Sequence, residues 1–438
     1  MLTRDERGSV LGGVALRDLF DSGHSGRGVE AGRALATPAY VYDLDAMEAE
    51  ARALSAGFGG AAHLVAYAVK ANSAGPVVRA LGRAGCGAEI VSGGELAVAL
   101  GCGIAPARVL FSGVAKQVWE IDGALGAGDR GILAIQLEGV EEIARVDARA
   151  AALGRRARVS LRINPGVEAD THAHVATGHD EAKFGIARAE LPAAWEALAR
   201  AAHVELVGLS SHVGSQLTHT GEYLAAAEIL LALAVERRAA GAAFEFIDFG
   251  GGFGVDYGCG CAASPADFAR AATRLLAGSA LAGVTLVVEP GRSLVAAHGV
   301  LVASVIGAKQ ARGVEGEGER RWLMIDAGMN DLIRPALYAA RHRIEPLEGE
   351  RAPDPSAPGQ RVVGPVCESS DDFGEHPFHA VPERVVVRDA GAYGFTMASQ
   401  YNGRALPAEV FLRGGRVAAV SAPRGVDAWV AERLMSGA

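Results

Sequence analysis

The chain has 438 residues, which is enough for two or three domains of ordinary size, and half of its residues are hydrophobic. Its 42 basic residues against 51 acidic ones give a net charge of −9, which argues against nucleic acid or an anionic membrane surface as a partner. The first residues are charged where a signal peptide is apolar, and the longest apolar runs are too short to cross a bilayer, so we expect a cytoplasmic protein.

From residue 64 onward, short aliphatic runs alternate with longer segments in which apolar residues recur every three or four positions. The helical segments include 93–100, 140–153 and 223–240. This alternation is typical of successive βα units, and eight of them predict a (β/α)8 TIM barrel. The eight predicted strands are 64–69, 86–91, 108–111, 131–136, 157–163, 204–211, 243–249 and 284–289.

After residue 294 the sequence becomes strand-like, with little helix between the runs. This texture predicts a second, mainly β domain of sandwich-like or barrel-like form, so the expected fold class is α/β plus β. The polar segments 312–321 and 349–360 are predicted to be exposed loops. The strand-like runs are 300–306, 322–325, 384–387, 409–412 and 416–420.

A long segment rich in Gly, His and Asp, 164–185, separates the fifth and sixth predicted strands, and we interpret it as a candidate lid. Its histidines have no ordered scaffold around them, so we expect no metal there. The pair Cys259 and Cys261 has no second ligand pair at zinc spacing, and we interpret both thiols as inert. The histidines of the segment are His172, His174 and His179.

The predicted barrel strands end in polar residues, and barrel enzymes carry their reacting groups at these ends. Lys70 follows the first strand, His212 the sixth, and Glu289 ends the eighth. Taken alone, a lysine in such a place is usually solvated and a histidine is usually structural. A buried carboxylate needs a cation, and a protonated pyridine nitrogen is one. Arg292, just past Glu289, suits a carboxylate or phosphate clamp.

Three consecutive glycines, residues 250–252, follow the seventh predicted strand. Glycines in a row let backbone N–H groups converge on a phosphate, although a plain tight turn also explains them. A dinucleotide fingerprint is not present, because its third glycine position, counted from Gly252 and Gly254, is occupied by Tyr257.

The predicted β domain contains three further segments that could carry chemistry. The first joins Arg334 and Tyr338, and the second places Cys367 beside Glu368. The third, 389–402, is rich in hydroxyl groups and small residues, as a ligand-facing loop would be. Cys367 on its own would be interpreted as a small buried hydrophobe.

A lysine at a strand end, a phosphate-sized glycine turn, an acid for a ring nitrogen and a flat histidine together describe a pyridoxal phosphate site. The chain also resembles the diaminopimelate decarboxylases, in order, over about residues 36–412. The segments that carry this resemblance are Tyr67-Ala-Val-Lys70-Ala-Asn72, Val91-Ser-Gly-Gly-Glu-Leu96, His212-Val-Gly-Ser-Gln216, Glu289-Pro-Gly-Arg292, Gly328-Met-Asn-Asp-Leu-Ile-Arg-Pro-Ala-Leu-Tyr338 and Gly364-Pro-Val-Cys-Glu-Ser369.

The resemblance implies a cofactor, pyridoxal 5'-phosphate, whose aldehyde is bound covalently by Lys70. It also implies that His212 stacks on the cofactor ring and that Glu289 keeps the ring nitrogen protonated. The residues implied to bind the cofactor's phosphate are Ser215, Gly252, Gly291, Arg292 and Tyr393, and Gly251 is a further residue expected to bind the cofactor.

The implied substrate is meso-2,6-diaminoheptanedioate (meso-diaminopimelate), whose D centre loses CO2 to give L-lysine in the last step of lysine biosynthesis. Cys367 would protonate the carbon that has lost its carboxylate, acting with Lys70 and His212 as a catalytic residue. Glu368 would bind the distal ammonium group of the substrate. The other residues implied to bind the substrate, chiefly at its distal carboxylate, are Arg292, Arg334, Tyr338 and Tyr393.

Family members are head-to-tail homodimers in which the segment of Cys367 and Glu368 reaches the partner's barrel, so the resemblance implies a shared active site. It also implies that a strand at 39–42 joins the β domain. The expected domains are therefore a cofactor-binding barrel at 45–294 and a β domain, with substrate and dimer contacts, at 1–44 and 295–438.

Alternatives within the same fold are a decarboxylase of ornithine, arginine or a carrier-linked amino acid, and an alanine racemase. The Cys367 segment, with Arg334 and Tyr338, argues against the first, and Glu289 argues against a racemase, which places a cation at the ring nitrogen. A non-enzymatic pyridoxal phosphate carrier would have no use for a β domain. Of the departures from the family pattern, Ala36 in place of Gly is neutral, whereas the variant 172–178 segment bears on substrate identity more than on chemistry.

Overall fold

The computed structural model describes residues 2–21, 35–167, 183–258, 263–311, 320–349, 354–422 and 425–434. They form two compact units, Glu48–Leu294 and Met1–Met47 with Val295–Ala438. Most of the candidate lid, with its three histidines and the pair Cys259 and Cys261, lies outside the described residues.

The first unit is a closed barrel of eight parallel strands, as predicted. Each strand pairs with the next, and the eighth pairs with the first through Val288 and Val65. The strands, in chain order, are His63–Ala68, Gly87–Ile90, Val109–Phe111, Ala134–Leu137, Ala157–Asn164, Val204–Ser210, Phe246–Gly251 and Thr285–Glu289. A two-residue strand, Ile186–Ala187, extends the sheet beside the fifth strand.

One helix precedes the first barrel strand, and one helix follows each of the first seven strands. Side-chain caps fix the first residue of two of these helices. Ser92 accepts a hydrogen bond from Glu95 N–H, and Ser264 forms a reciprocal capping box with Asp267. The helices are Leu44–Ala56, Gly75–Arg83, Gly93–Gly101, Val118–Gly126, Val140–Ala152, Leu191–Arg200, Gly221–Ala239 and Pro265–Ala277. Short 3-10 turns lie at Val69–Ala71, Pro106–Arg108 and Arg188–Glu190.

The barrel interior changes from apolar to polar along the strands. A buried cluster fills its middle with Leu64, Ala66, Leu110, Ala134, Val207, Phe246 and Val287. Alternate residues of a strand face the same side, so the next inward positions lie two residues further on. On four strands those positions are buried polar residues, namely Ser112, Gln136, Asp248 and Glu289. The sequence pattern of each strand therefore places polar side chains at the end where barrel enzymes act.

The second unit is built on a nine-stranded sheet, preceded by a small antiparallel sheet of Thr3–Asp5, Gly8–Leu11 and Val14–Ala15. Its central strand, Ala39–Asp43, pairs antiparallel with Gly299–Ala311 and parallel with Ala408–Arg413. The remaining strands are Arg320–Ile325, Ile344–Pro346, Gly359–Val363, Asp372–Pro377, Arg384–Val387 and Arg416–Ser421. The helices are Leu16–Asp21, Arg292–Val295 at the unit boundary, Arg334–Tyr338 and Val426–Arg433, with 3-10 turns at Ala296–His298, Phe395–Met397 and Tyr401–Gly403.

The five predicted strands of the β domain are present, but the two predicted loops are wrong at their ends. Arg320 and Arg321 begin a strand, and Gly359 and Gln360 begin another. Exposed residues alternate with buried ones in Gly359–Val363, and the first buried residue is the polar Gln360, so the strand looks like a loop when only hydrophobic runs are sought. The described helices include none long and apolar enough to cross a membrane.

Candidate active site

Lys70 lies in the 3-10 turn Val69–Ala71, just after the first barrel strand ends at Ala68. Its Nζ donates a hydrogen bond to Oε2 of Glu89 at 2.5 Å. Glu89 belongs to the second strand, where it pairs with Ala68, and its side chain is only 1% exposed against 38% for Lys70. A buried carboxylate therefore holds an accessible amine at the end of the barrel.

His212 follows the sixth strand and is half-buried. Its Nδ1 lies 3.2 Å from the Gly251 N–H, which donates to it. Burial, followed by the positive charges of Arg162 and Lys70, lowers the pKa of His212 well below its ordinary value. The imidazole is therefore neutral at physiological pH, with Nδ1 as the acceptor, and offers a flat uncharged ring.

The glycines after the seventh strand are required by close backbone approach. Gly252 has a φ of +87°, and a Cβ there would lie 2.1 Å from the Gly214 carbonyl oxygen. A Cβ on Gly251 would lie 1.9 Å from the Glu289 carbonyl oxygen. The expectation of three bare amides needs correction, because the Gly250 N–H donates to Asp248 and the Gly251 N–H donates to His212. Gly251 thus supports the histidine in this structure.

Glu289 ends the eighth strand and is hydrogen-bonded from inside the barrel. Gln136 Nε2 donates to Glu289 Oε1 at 2.9 Å and to Asp248 Oδ2 at 2.8 Å. Ser112 Oγ in turn donates to Gln136 Oε1 at 3.0 Å. Burial raises the pKa of Glu289 well above its ordinary value, and the negative charges of Asp248 and Glu89 add to this shift.

Arg292, Ser215 and Gly291 lie together at the same end of the barrel. Arg292 donates to Ser215 Oγ and to Tyr257 Oη, both at 2.9 Å. A Cβ on Gly291 would lie 3.0 Å from the Cβ atoms of Ala68 and Ala71, so a larger residue would press on the turn that carries Lys70. The barrel thus brings the predicted amine, ring, acid and anion-binding groups to one end.

The remaining predicted residues belong to the second unit. Arg334 begins the helix Arg334–Tyr338, is buried, and donates from Nη1 to His342 Nε2 at 2.7 Å. Because His342 Nδ1 lies 2.9 Å from the Arg388 carbonyl oxygen, the imidazole is fixed between a donor and an acceptor. Arg334 is held in place by this histidine, and Tyr338 lies at the other end of the same helix.

Cys367 and Glu368 lie on a loop between the strands Gly359–Val363 and Asp372–Pro377. The Cys367 thiol belongs to an exposed residue, and its backbone N–H donates to Asn402 Oδ1 at 3.1 Å. Glu368 accepts a hydrogen bond from the hydroxyl group of Tyr401. This contradicts the interpretation of Cys367 as a buried hydrophobe and leaves its sulfur open to reagents.

Tyr393 lies in the predicted ligand-facing loop and has a φ of +55°. A left-handed backbone is uncommon for a tyrosine and is kept only where the surroundings impose it. The side chain of Tyr393 is half-buried within its unit.

Three residues that contact the predicted site residues were not predicted from the sequence, namely Glu89, Gln136 and Tyr257. The signal for the first two was a polar residue inside an otherwise aliphatic strand, at the inward position. Among the described residues, no cluster of three or more His, Cys, Asp or Glu side chains is arranged to hold a metal ion.

Comparisons with known proteins agree with this geometry. The family model for the pyridoxal binding domain of pyridoxal-dependent decarboxylases matches residues 44–296. The chain is 42% identical over 381 residues to diaminopimelate decarboxylase of Pseudomonas aeruginosa, with coverage of 86% of this chain and 88% of the relative.

Solved structures give the same result. Diaminopimelate decarboxylase from Helicobacter pylori, complexed with L-lysine, matches with a TM-score of 0.82 at 35% identity, over 91% of this chain and 97% of that one. The M. jannaschii diaminopimelate decarboxylase in co-complex with L-lysine matches with a TM-score of 0.83 at 30% identity, over 98% and 99% of the two chains. The fold and the site thus define a barrel-type pyridoxal-dependent decarboxylase. Within that class, the chain belongs to the diaminopimelate decarboxylase family.

The cofactor is therefore pyridoxal 5'-phosphate, and the barrel residues fit it. An accessible amine, a neutral, half-buried imidazole and a buried acid lie at one end of the barrel, next to glycines that exclude side chains. These are the groups that an aldehyde, an aromatic ring, a ring nitrogen and a phosphate require.

Proposed function

We propose that this protein decarboxylates meso-2,6-diaminoheptanedioate to L-lysine and CO2, the last step of lysine biosynthesis. The observation that carries the proposal is the 42% identity to a diaminopimelate decarboxylase over most of both chains. The joint presence of the Lys70–Glu89 pair and the buried acid Glu289 supports it chemically.

In this proposal the barrel unit binds the cofactor. Lys70 provides the amine that is bonded to the aldehyde, and Glu89 orients that amine. His212 lies against the ring, and Glu289 binds the ring nitrogen. When bound, pyridoxal phosphate supplies an electron sink for the pair left behind when CO2 departs. The barrel residues proposed to bind the phosphate are Ser215, Gly252, Gly291 and Arg292, together with Tyr393 of the second unit, and Gly251 is a further residue proposed to bind the cofactor.

The second unit provides the substrate-binding and proton-donating residues in this proposal. Guanidinium groups bind carboxylates in a two-point geometry, and Arg334 is buried and fixed by His342, so it is suited to the distal carboxylate of the substrate. Glu368 binds the distal ammonium group. Cys367 donates the proton from Sγ to the carbon that has lost its carboxylate. The other residues proposed to bind the substrate are Arg292, Tyr338 and Tyr393.

We further propose that the active form is a homodimer in which the Cys367 segment of one chain acts at the barrel of the other. The exposure of Cys367 supports this, because a proton donor to a carbanion has to be shielded from water during the reaction. A cytoplasmic location stays a prediction, and it is compatible with the free thiols of Cys86 and Cys102.

A substrate panel tests the proposal. CO2 release is measured from the reconstituted enzyme with meso-diaminopimelate, its LL isomer, ornithine and arginine. We expect turnover with the meso isomer alone, because only it presents a D centre for decarboxylation and a second amino-acid head to Arg334 and Glu368. Preferential turnover of ornithine or arginine would overturn the assignment of substrate, and cofactor binding without CO2 release from any of the four would favour a carrier protein.

A further inference from the structure

The acid at the end of the eighth strand is held by side chains from the opposite wall of the barrel. Gln136 lies on the fourth strand, whereas Asp248 and Glu289 lie on the seventh and eighth, so the amide crosses the interior to reach both carboxyl groups. Its NH2 group donates to one oxygen of each, which is possible for a carboxylate and for the C=O oxygen of a protonated acid alike. The hydroxyl of Ser112 donates to the other side of the same amide and fixes this orientation.

The carboxyl groups of Asp248 and Glu289 both accept from the NH2 group of Gln136, so they lie side by side, and each affects the pKa of the other. Two buried carboxyl groups in contact do not both ionise readily, so the pair holds one proton around neutral pH. Asp248 is the better anion, because it accepts from the Gly250 N–H at 2.8 Å as well as from Gln136. The proton therefore resides on Glu289. Burial raises the pKa of Asp248 to about 6.

Three other titratable groups face this pair. Glu89 raises the pKa of both carboxyls, and Lys70 lowers that of Glu289. Tyr223, on the helix Gly221–Ala239, is buried and stays neutral, since burial raises its pKa well above 10.0. Between pH 5 and 8, the charged groups that affect the pKa of Glu289 are therefore Asp248 and the Lys70–Glu89 ion pair.

We propose that Gln136 and Asp248 are positioning residues for Glu289, which orient its carboxyl group and keep one proton on it for the ring nitrogen of the cofactor. The inference rests on the proposed function in taking Glu289 as the partner of that nitrogen. With the cofactor bound, Glu289 would give up its O–H proton to the ring nitrogen and, as a carboxylate, would accept from that N–H and from Gln136.

Three substitutions separate these roles. Gln136→Met keeps the length of the side chain and removes both donors to the carboxyl pair. Asp248→Asn removes one ionisable group and preserves the shape. Ser112→Ala removes only the hydroxyl that orients Gln136. The matched control is Ser160→Ala, since Ser160 pairs with Gln136 in register and its buried hydroxyl has no hydrogen-bond partner among the described residues.

The first measurement is the Tm of the cofactor-free protein from pH 5 to 8. An acid whose folded pKa is raised contributes stability that is present at low pH and lost as the pH rises through that pKa. Asp248→Asn should flatten this loss. Gln136→Met should make the fall in Tm with rising pH steeper, because ionised Asp248 loses a hydrogen-bond donor. Ser112→Ala should have a smaller effect in the same direction. Ser160→Ala should follow the wild type.

The second measurement is made on the reconstituted enzyme, by titrating the absorbance of the bound cofactor with pH and by separating kcat from KM. Gln136→Met should lower kcat by about tenfold or more with little change in KM, because the proton on Glu289 is no longer fixed in position. It should also move the pH at which the cofactor spectrum changes. A purely structural role would lower Tm equally at every pH and leave the spectrum as in the wild type.

The two proposals fail separately. If the wild type releases no CO2 from meso-diaminopimelate, the proposed function fails, while the Tm profiles still decide on the Gln136 and Asp248 pair. If the variants keep the wild-type slope of Tm against pH and the wild-type spectrum, the inference is overturned although the enzyme is active. If Gln136→Met does not fold, the other two variants still test the inference, because Asp248→Asn should flatten the fall in Tm with rising pH and Ser112→Ala should steepen it.

Discussion

The buried carboxylate of Glu89 fixes the position of the Lys70 amine. The carboxylate of Glu89 is almost completely shielded from solvent, yet it contacts an amine whose side chain remains reachable. An ion pair in such surroundings is stronger than an exposed one, because water does not compete for the hydrogen bond. The amine is consequently held at the end of the barrel before any ligand arrives.

The covalent role of Lys70 can be tested by trapping. Borohydride reduction of the cofactor-loaded protein should fix the cofactor on the peptide that contains Lys70, because a reduced imine no longer hydrolyses. Lys70→Ala should give no labelled peptide, while Lys309→Ala, which alters a lysine on the β unit, should label as the wild type does. Peptide mapping by mass spectrometry reads out the result, and label on another lysine would refute the assignment.

At this scale the sequence was sufficient for residues that end a strand and insufficient for those that support them. Lys70, His212 and Glu289 stand out because a polar residue closes each aliphatic run. Gln136 is the last residue of the fourth predicted strand, and the sequence assigns it no function. Only the closed barrel shows that its amide contacts residues more than a hundred positions later in the chain.

Among the elements, the turn after the seventh strand leaves little room for a side chain. At Gly252 the backbone is left-handed, and an added Cβ would overlap the Gly214 carbonyl oxygen. Gly283 has a similar φ of +92° but no atom within 4 Å of its Cβ position. The two positions therefore share the backbone strain and differ only in the room available for a side chain.

Replacing each glycine by alanine separates these effects. Gly283→Ala should cost about 1 kcal/mol of stability through backbone strain and leave cofactor affinity unchanged. Gly252→Ala should in addition displace the loop of His212 and Ser215, and weaken pyridoxal phosphate binding by roughly tenfold or more. Titration of the cofactor-free proteins, with Tm measured in parallel, gives both quantities, and equal affinity of the two variants would contradict the proposed phosphate site.

The central strands of the β unit contain a buried acid, Glu409, with a raised pKa. Glu409 accepts a hydrogen bond from Tyr42 Oη at 3.1 Å across the strands Ala39–Asp43 and Ala408–Arg413. Burial raises the pKa of Glu409 to about 7, which the Tyr42 hydroxyl only partly offsets. A raised pKa means that the stability contributed by the neutral acid is lost as the pH rises through about 7.

Glu409→Gln should therefore reduce the fall in Tm between pH 6 and 8, by roughly 2–4 °C for each kcal/mol no longer lost. Gln keeps an oxygen for Tyr42 and does not ionise. Glu196→Gln, on an exposed barrel helix, serves as the control and should leave the profile unchanged. An identical pH profile for wild type and Glu409→Gln would show that Glu409 titrates normally.

Element types were predictable where local pattern decides them. The eight predicted runs correspond to the eight barrel strands with shifts of at most three residues at their ends, because alternating runs and helical periods are local signals. The strands Gly359–Val363 and Asp372–Pro377 were not predicted, because both contain polar residues that are typical of loops. Two of these residues, Arg361 and Asp372, form an ion pair that joins the strands.

For the whole molecule, the proposed shared site makes a prediction about mixed dimers. Lys70→Ala and Cys367→Ala should each be nearly inactive alone. Unfolded together and refolded, they should recover about a quarter of wild-type activity, because half of the dimers are mixed and each mixed dimer has one intact pair of residues. CO2 release before and after mixing is the measurement, with each variant refolded alone as the control. No recovery in the mixture would place both residues of a site in the same chain.

The arrangement of strands in the β unit could not be predicted from local pattern. Ala39–Asp43 pairs with two strands that lie about 260 and 370 residues later in the chain, and nothing near it in sequence specifies either partner. Only the family resemblance indicated that an N-terminal strand joins this unit.

That central strand has a consequence for biosynthesis. At a translation rate of about 5–20 residues per second, Gly299–Ala311 leaves the ribosome on the order of 10–50 s after Ala39–Asp43, and Ala408–Arg413 follows later still. Throughout this interval a short apolar ribbon with both edges unpaired is attached to a nascent chain whose barrel is already being made. We expect the newborn polypeptide to depend on a ribosome-associated chaperone that shields this ribbon until its two neighbours emerge.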